Sequence, residues 1–245
     1  MIDPNECQDS FSSDESQSLV NNYYEKHYEN VHGSGVMGRA ALLQQRELER
    51  HRKEQVFPVT LELGSGYFQH YPHVLHERSR YIASDIRVPN GSQLYQDIKA
   101  GRGPEELEFL ESDACDIPLP TGSVDRVVAT CLLLHLDDPV KAIIEWQRVC
   151  KSSGVIDFLI PCEPGLALRF FRALVSERTA IKNGVSREQF RVVNALDHKS
   201  SLPRALALAK LALSPGRKMK VRYYPFRFLR SWNMNFFVVV SLEPQ

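Results

Sequence analysis

Apolar positions along this chain follow two rhythms. Continuous apolar runs recur at 56–63, 81–84, 107–110, 124–130 and 155–160. Between them, apolar residues return every three or four positions, most clearly over 139–150, where Val140, Ile143, Ile144 and Val149 form one stripe. Strands without polar alternation are covered on both faces, and their regular alternation with helices predicts a parallel sheet between helical layers. No internal repeat is present.

The rhythm changes on either side of this block. Beyond Pro161, helices are predicted at 166–176 and 202–213 with a polar stretch between them, then strands at 219–228 and 236–242. Two closing strands without a helix between them predict a hairpin, which makes the last strand antiparallel in a sheet of seven. Before the first strand, 19–55 is helical in pattern, broken at His32-Gly33-Ser34-Gly35. Residues 1–18 hold five acids and no base among many Ser and Gln, the composition of a flexible tail. The expected organisation is therefore a tail at 1–18, an N-terminal helical cap at 19–55, and a main α/β domain at 56–245 with an insertion at about 162–215.

Charge narrows the function classes. Lys plus Arg and Asp plus Glu are 30 each, so a general attraction to nucleic acid phosphates is disfavoured. The five cysteines form no C-x-x-C pair, which suits buried free thiols in a reducing compartment. The acidic start is no signal or transit peptide, and no apolar run reaches the ~20 residues of a membrane span. The expectation is a soluble cytoplasmic protein.

The sharpest chemical feature is Leu61-Glu62-Leu63-Gly64-Ser65-Gly66 at the end of the first strand. Glycines at such a turn let backbone approach a ligand, and a helix following it would offer free N–H groups. Asp85 ends the second strand, where a carboxylate can accept both ribose hydroxyls. After the third strand come Glu111-Ser112-Asp113-Ala114, then Asp116 to Asp125 with Leu119 and Pro120 inside it; His135-Leu136-Asp137-Asp138-Pro139 follows the fourth. Asp125 is expected to anchor a turn or cap, and His135 to pack at a helix entry.

This ordered set resembles the class I S-adenosylmethionine-dependent methyltransferases, in particular the small-molecule group typified by the methyltransferase type 11 domain. The resemblance covers about 56–161 and implies a Rossmann-like fold with S-adenosyl-L-methionine as cofactor. It places Glu62, Gly64, Ser65 and Gly66 on the cofactor's methionine part and Asp85 on the ribose, with Ile86 beside adenine. Asp113 and Ala114 would bind adenine, and Cys131 would line the methionine pocket. One position departs from the family: Phe68 stands where a third glycine is common. No metal-ligating cluster is visible, and metal independence is expected.

Methyl transfer from a sulfonium needs alignment of the acceptor more than activation of the donor. The acceptor side is expected from the additions to the sheet. Tyr23, Tyr24 and His27 are the candidate substrate contacts, and His198, preceded by Asp197, is the candidate general base. An N-terminal Tyr-Tyr/His helix with a late Asp-His is similar to methyltransferases of polysaccharide and natural-product pathways, which implies methylation of an oxygen or nitrogen of a sugar, natural-product or lipid-linked acceptor. From His198 to Leu242 there are nine Lys or Arg and no acid. That asymmetry fits a solvated basic face, an anionic acceptor, or peripheral contact with an anionic membrane through 202–213. The rivals are a non-catalytic cofactor-binding partner protein, an RNA or protein methyltransferase, and a plain nucleotide-binding protein.

Overall fold

The computed structural model describes residues 35–197 and 199–245. Two compact units divide the chain. One comprises 42–170 with 200–245; the other holds 171–199 and the described residues up to Ala41.

The larger unit is built on one seven-stranded sheet, in the order β3-β2-β1-β4-β5-β7-β6. The strands are β1 (Val59–Leu63), β2 (Arg80–Asp85), β3 (Leu107–Glu111), β4 (Val124–Thr130), β5 (Cys150–Pro161), β6 (Arg217–Tyr224) and β7 (Phe237–Pro244). The first five are mutually parallel, and β7 runs antiparallel between β5 and β6. The strand order therefore reverses between β1 and β4, so the connections leaving their carboxyl ends run to opposite sides of the sheet, the place where open α/β sheets bind ligands. This is the Rossmann-like sheet with the closing hairpin that the apolar rhythm predicts.

One face of the sheet carries an apolar core. Leu61, Leu63, Val127, Ala129, Ile156, Phe158, Val238 and Val240 project into it. Helix α3 (Pro139–Val149) covers them with Ala142, Ile143, Trp146 and Val149, all fully buried. Its start is set locally: Asp138 accepts from Lys141 N at 2.9 Å, and Pro139 occupies the first turn, where its missing N–H costs nothing. Helix α7 (Leu202–Leu211) adds Leu202, Ala205 and Ala209 to the same core. Gln147 joins the two helices, donating to Ala212 O at 2.8 Å and accepting from Ser214 N at 2.9 Å.

The opposite face is partly ionic. Helix α1 (Gly35–Glu49) brings Leu48 and Glu49 into burial there. Glu49 meets Arg126 of β4 at 2.7 Å and His70 Nε2 at 2.9 Å. Arg126 Nε donates to Asp157 of β5 at 3.0 Å, and Arg52 grips the same carboxylate with two bonds, at 2.9 and 2.8 Å. Burial alone would raise the carboxyl of Glu49, but the Arg126 guanidinium and His70 outweigh it and hold the group well below its usual range. Arg126 NH1 also lies 2.9 Å from His76 Nδ1. A guanidinium only donates, so Nδ1 accepts and the proton of His76 sits on Nε2, 2.8 Å from Thr60 Oγ1.

Two local expectations change, after β1 and after Ser176. No α-helix follows β1: the chain passes through a three-residue 3₁₀ turn, Tyr71–His73, into the loop before β2. Pro72 lacks the N–H a helix interior needs, and His70 Nε2, at 2.9 Å, and Leu75 N, at 3.2 Å, tie the segment to Glu49 instead. Helix α2 (Gln93–Lys99), between β2 and β3, is capped by Ser92 and packs Leu94, Tyr95 and Ile98 beside Phe109. The polar stretch after Ser176 is largely helical. Helix α4 (Leu166–Phe171) runs into a π turn, followed by α5 (Glu177–Lys182) and α6 (Arg187–Asp197). Within that unit, buried Glu177 takes Arg191 Nε at 2.8 Å, and Ala180, Val185, Phe190 and Val193 are buried. Among the described residues, no helix is long and apolar enough to cross a membrane.

Candidate functional site

The turn after β1 is shaped by steric necessity. Gly64 and Gly66 have φ of +69° and +51°, the left-handed region that side chains resist. A Cβ on Gly64 would also come within 3.1 Å of Leu132 Cδ1. Phe68, where a third glycine is common in the resembled family, takes the same conformation with φ +62°. The turn thus keeps a glycine-like geometry without the glycine. The strain is offset by burial of the ring among Tyr81, Ala83 and Leu107.

Backbone and carboxylate bonds lock this turn to the next two strands. Ser65 N donates to Ser84 O at 3.0 Å, and Gly66 N donates to Asp85 Oδ2 at 2.9 Å. The other oxygen of Asp85 accepts from Arg87 N at 2.9 Å. Ser112, just past β3, donates its N–H to Asp85 O at 3.1 Å and meets Ser84 Oγ at 2.7 Å. Ser112 was legible only as a spacer in Glu111-Ser112-Asp113; what reveals its part is the register of Asp85 against Glu111.

Asp113 is exposed and folds its own loop, accepting from Cys115 N at 2.8 Å. The Ala114 carbonyl is pinned by Trp146 Nε1 at 3.0 Å, which fixes that loop to the core. Ile86 stands 66% exposed beside Asp85, an apolar side chain left open at a polar edge. Cys131 follows β4 with φ +59° and donates its N–H to Leu159 O at 3.0 Å. The sequence carries no flag for that strained position, because cysteine has no preference for it.

Glu62 differs from the other acids. It is fully buried, accepts from Tyr81 OH at 2.9 Å, and burial pushes its carboxyl up to about 7. Ser65 Oγ is buried and, among the described residues, has no hydrogen-bond partner. An orphaned hydroxyl costs free energy unless a ligand or water meets it, so the turn is suited to receive a polar group.

The structure thus brings Glu62, Gly64, Ser65, Gly66, Asp85, Ile86, Asp113, Ala114 and Cys131 to the loops at, or strand residues leading to, one carboxyl edge of the sheet. Tyr23, Tyr24, His27 and His198 lie outside the described residues. Asp125 is an anchor at the opposite end of the strands, accepting from Val59 N at 2.9 Å and Lys151 Nζ at 2.7 Å. His135 N donates to Leu132 O at 2.9 Å in the turn that leads into α3.

Residues 61–158 match the family described as a methyltransferase domain. Curated relatives include the chloroplastic 2-methyl-6-phytyl-1,4-hydroquinone methyltransferase 1 of Oryza sativa subsp. japonica, 38% identical over 66 residues, which are 26% of this chain and 20% of the relative. The corresponding Spinacia oleracea enzyme is 36% identical over 74 residues, 30% of this chain and 22% of the relative. The chain spans about a fifth of the length of these relatives. A SAM-dependent methyltransferase from Thermotoga maritima superposes with a TM-score of 0.54 at 17% identity, over 94% of this chain and 98% of that one, which is a likeness of fold. With that fold, the glycine turn and the ordered acids in place, residues 61–158 match the type 11 methyltransferase domain, and the chain is similar to the class I S-adenosylmethionine-dependent methyltransferases, a family whose cofactor is S-adenosyl-L-methionine.

Proposed function

We propose that this protein is an enzyme that transfers the methyl group of S-adenosyl-L-methionine to an oxygen or nitrogen of a small, lipid-linked acceptor. The observation that carries the cofactor assignment is that two left-handed glycines and an orphaned Ser65 hydroxyl share the turn after β1, which Asp85 at the end of β2 bonds through Gly66 N. In it, Glu62, Gly64, Ser65, Gly66 and Cys131 hold the methionine part. Asp85 accepts from the ribose hydroxyls while Ile86 packs on one side of the adenine, and Asp113 and Ala114 meet the adenine edge. The cofactor supplies an already activated methyl group, and the protein's share is to align the acceptor and exclude water. Lipid-linked is favoured over sugar because the relatives' names carry a phytyl-bearing hydroquinone.

The experiment is calorimetry with S-adenosylhomocysteine on wild type and on Asp85→Ala/Asp113→Ala, followed by labelled methyl transfer to lipid-linked and sugar acceptors. Loss of the two carboxylates should weaken binding about tenfold or more. Equal affinity in the double variant removes the cofactor site. Tight binding with no labelled product on any acceptor instead favours the non-catalytic partner.

A further inference from the structure

The carboxyl edge of the sheet bears a second feature, at its β5-β7-β6 end. β6 ends at Tyr224 and β7 begins at Phe237, which pair with each other, and Phe237 pairs with Pro161 at the end of β5. The connection 225–236 therefore hangs from the same edge as the turns after β1, β2 and β4. It opens Pro225-Phe226-Arg227-Phe228-Leu229-Arg230, and all six residues are exposed. Phe228 is 81% exposed, and Met234 further on is also open to solvent. The start of α4 joins it: Ala167 N donates to Asn233 O at 2.9 Å, and Leu166 and Phe170 of that helix are exposed as well.

This connection has a defined shape. Asn235 is fully buried; its Oδ1 accepts from Phe226 N at 2.8 Å, and its Nδ2 donates to Leu229 O at 2.7 Å and Ser231 O at 2.9 Å. The backbone polar groups turn inward around Asn235 while large apolar side chains turn outward, the reverse of the usual arrangement at a solvated surface. Arginines interleave the apolar residues. Arg227 lies over the Tyr224 ring and is bonded to Glu47, whereas Arg230 and Arg169 are exposed. No acid occurs between His198 and Leu242. Aromatic and aliphatic groups that enter the interfacial zone, set beside guanidiniums that meet phosphates, match an anionic bilayer surface.

We propose that the exposed aromatic and arginine residues of the connection 225–236, with Leu166 and Phe170 of α4, form a docking surface for a bilayer containing anionic lipid. The sequence left 202–213 open to membrane contact or to packing on the sheet, and Leu202, Ala205 and Ala209 are committed to the core. The purpose of the surface rests on the lipid-linked acceptor proposed above: docking at this edge would present the cofactor-side loops toward the bilayer.

Co-sedimentation of the full chain with sucrose-loaded vesicles, in low salt, tests it without requiring activity. The chain should pellet with vesicles containing phosphatidylserine and weakly with phosphatidylcholine alone. Phe226→Ser/Phe228→Ser should lower partitioning about tenfold or more, and Arg169→Gln/Arg230→Gln should abolish the preference for anionic lipid. In both variants thermal unfolding and S-adenosylhomocysteine affinity should match wild type. Three results overturn the proposal: no binding by wild type, equal binding by Phe226→Ser/Phe228→Ser, or a wild-type dimer that this variant disperses while vesicles capture neither. Displacement from vesicles by single-stranded RNA at equal charge, with tighter RNA binding, also overturns it. Vesicle binding that persists while no lipid-linked acceptor is methylated retires the acceptor alone.

Discussion

Arg126 and Glu49 meet at 2.7 Å with neither side chain exposed, joining the end of α1 to the middle of a central strand. A buried pair gains little over an apolar isostere, yet removing one partner strands the other charge. Arg126 holds two carboxylates, those of Glu49 and Asp157. Arg126→Met is therefore expected to cost about 3–5 kcal/mol in urea unfolding. A loss within about 1 kcal/mol contradicts this account of the cluster.

Acid should attack the same cluster. The carboxyls of Glu49 and Asp157 are held below their ordinary values against the pull of burial, and burial with the Arg126 charge lowers His76. Each binds fewer protons folded than unfolded, so stability is present at neutral pH. It is lost as pH falls, first below the ordinary histidine value and then through the carboxylate range. Glu62 has the opposite sign. Its carboxyl, raised to about 7, favours the fold below its unfolded value, and that contribution is lost as pH rises through 7. Glu62→Gln should melt higher than wild type near pH 8, by up to about 3 kcal/mol, with the difference gone near pH 5. Superimposable melting curves at about pH 8 would show that the Glu62 carboxyl ionises normally.

Phe68 sets two effects against each other. Glycine there would relieve about 1–2 kcal/mol of left-handed strain, while deleting a buried ring costs about 3–5 kcal/mol. Packing wins by this arithmetic, so Phe68→Gly is expected to destabilise by about 2 kcal/mol even though it restores the family's third glycine. A more stable variant in chemical denaturation would mean that strain, not the ring, governs the turn.

His198 is proposed as a general base on the Asp197-His198 pair alone. His198→Ala should lower turnover about 100-fold with little change in S-adenosylhomocysteine affinity, measured by single-turnover kinetics and calorimetry. Near-normal turnover ends that assignment.

Much of the fold was legible because its signals are local. Five apolar runs marked the five parallel strands, and Asp138-Pro139 marked the start of α3. A readable signal was missed at α6: Ser186 and Gln189 form a reciprocal cap, with bonds of 3.1 Å each way, and Ser-x-x-Gln announces such a start. The absent helix after β1 was also foreseeable in part, since Pro72 sits in the middle of the segment. Arg126 in an apolar run was a visible anomaly, but its partners lie 77 residues before it in Glu49 and 31 after it in Asp157.

From the order of residues alone came the parallel sheet, the glycine turn, and the acids at successive strand ends. Each follows from contacts within a few positions along the backbone, where periodicity and steric limits act directly. Only the three-dimensional arrangement decided which charges would be buried together, that Phe68 would occupy a glycine's conformation, and that Phe226 and Phe228 would face outward while Leu202 faced in. Those outcomes depend on burial and through-space pairing between distant segments, which hydropathy along the chain does not encode.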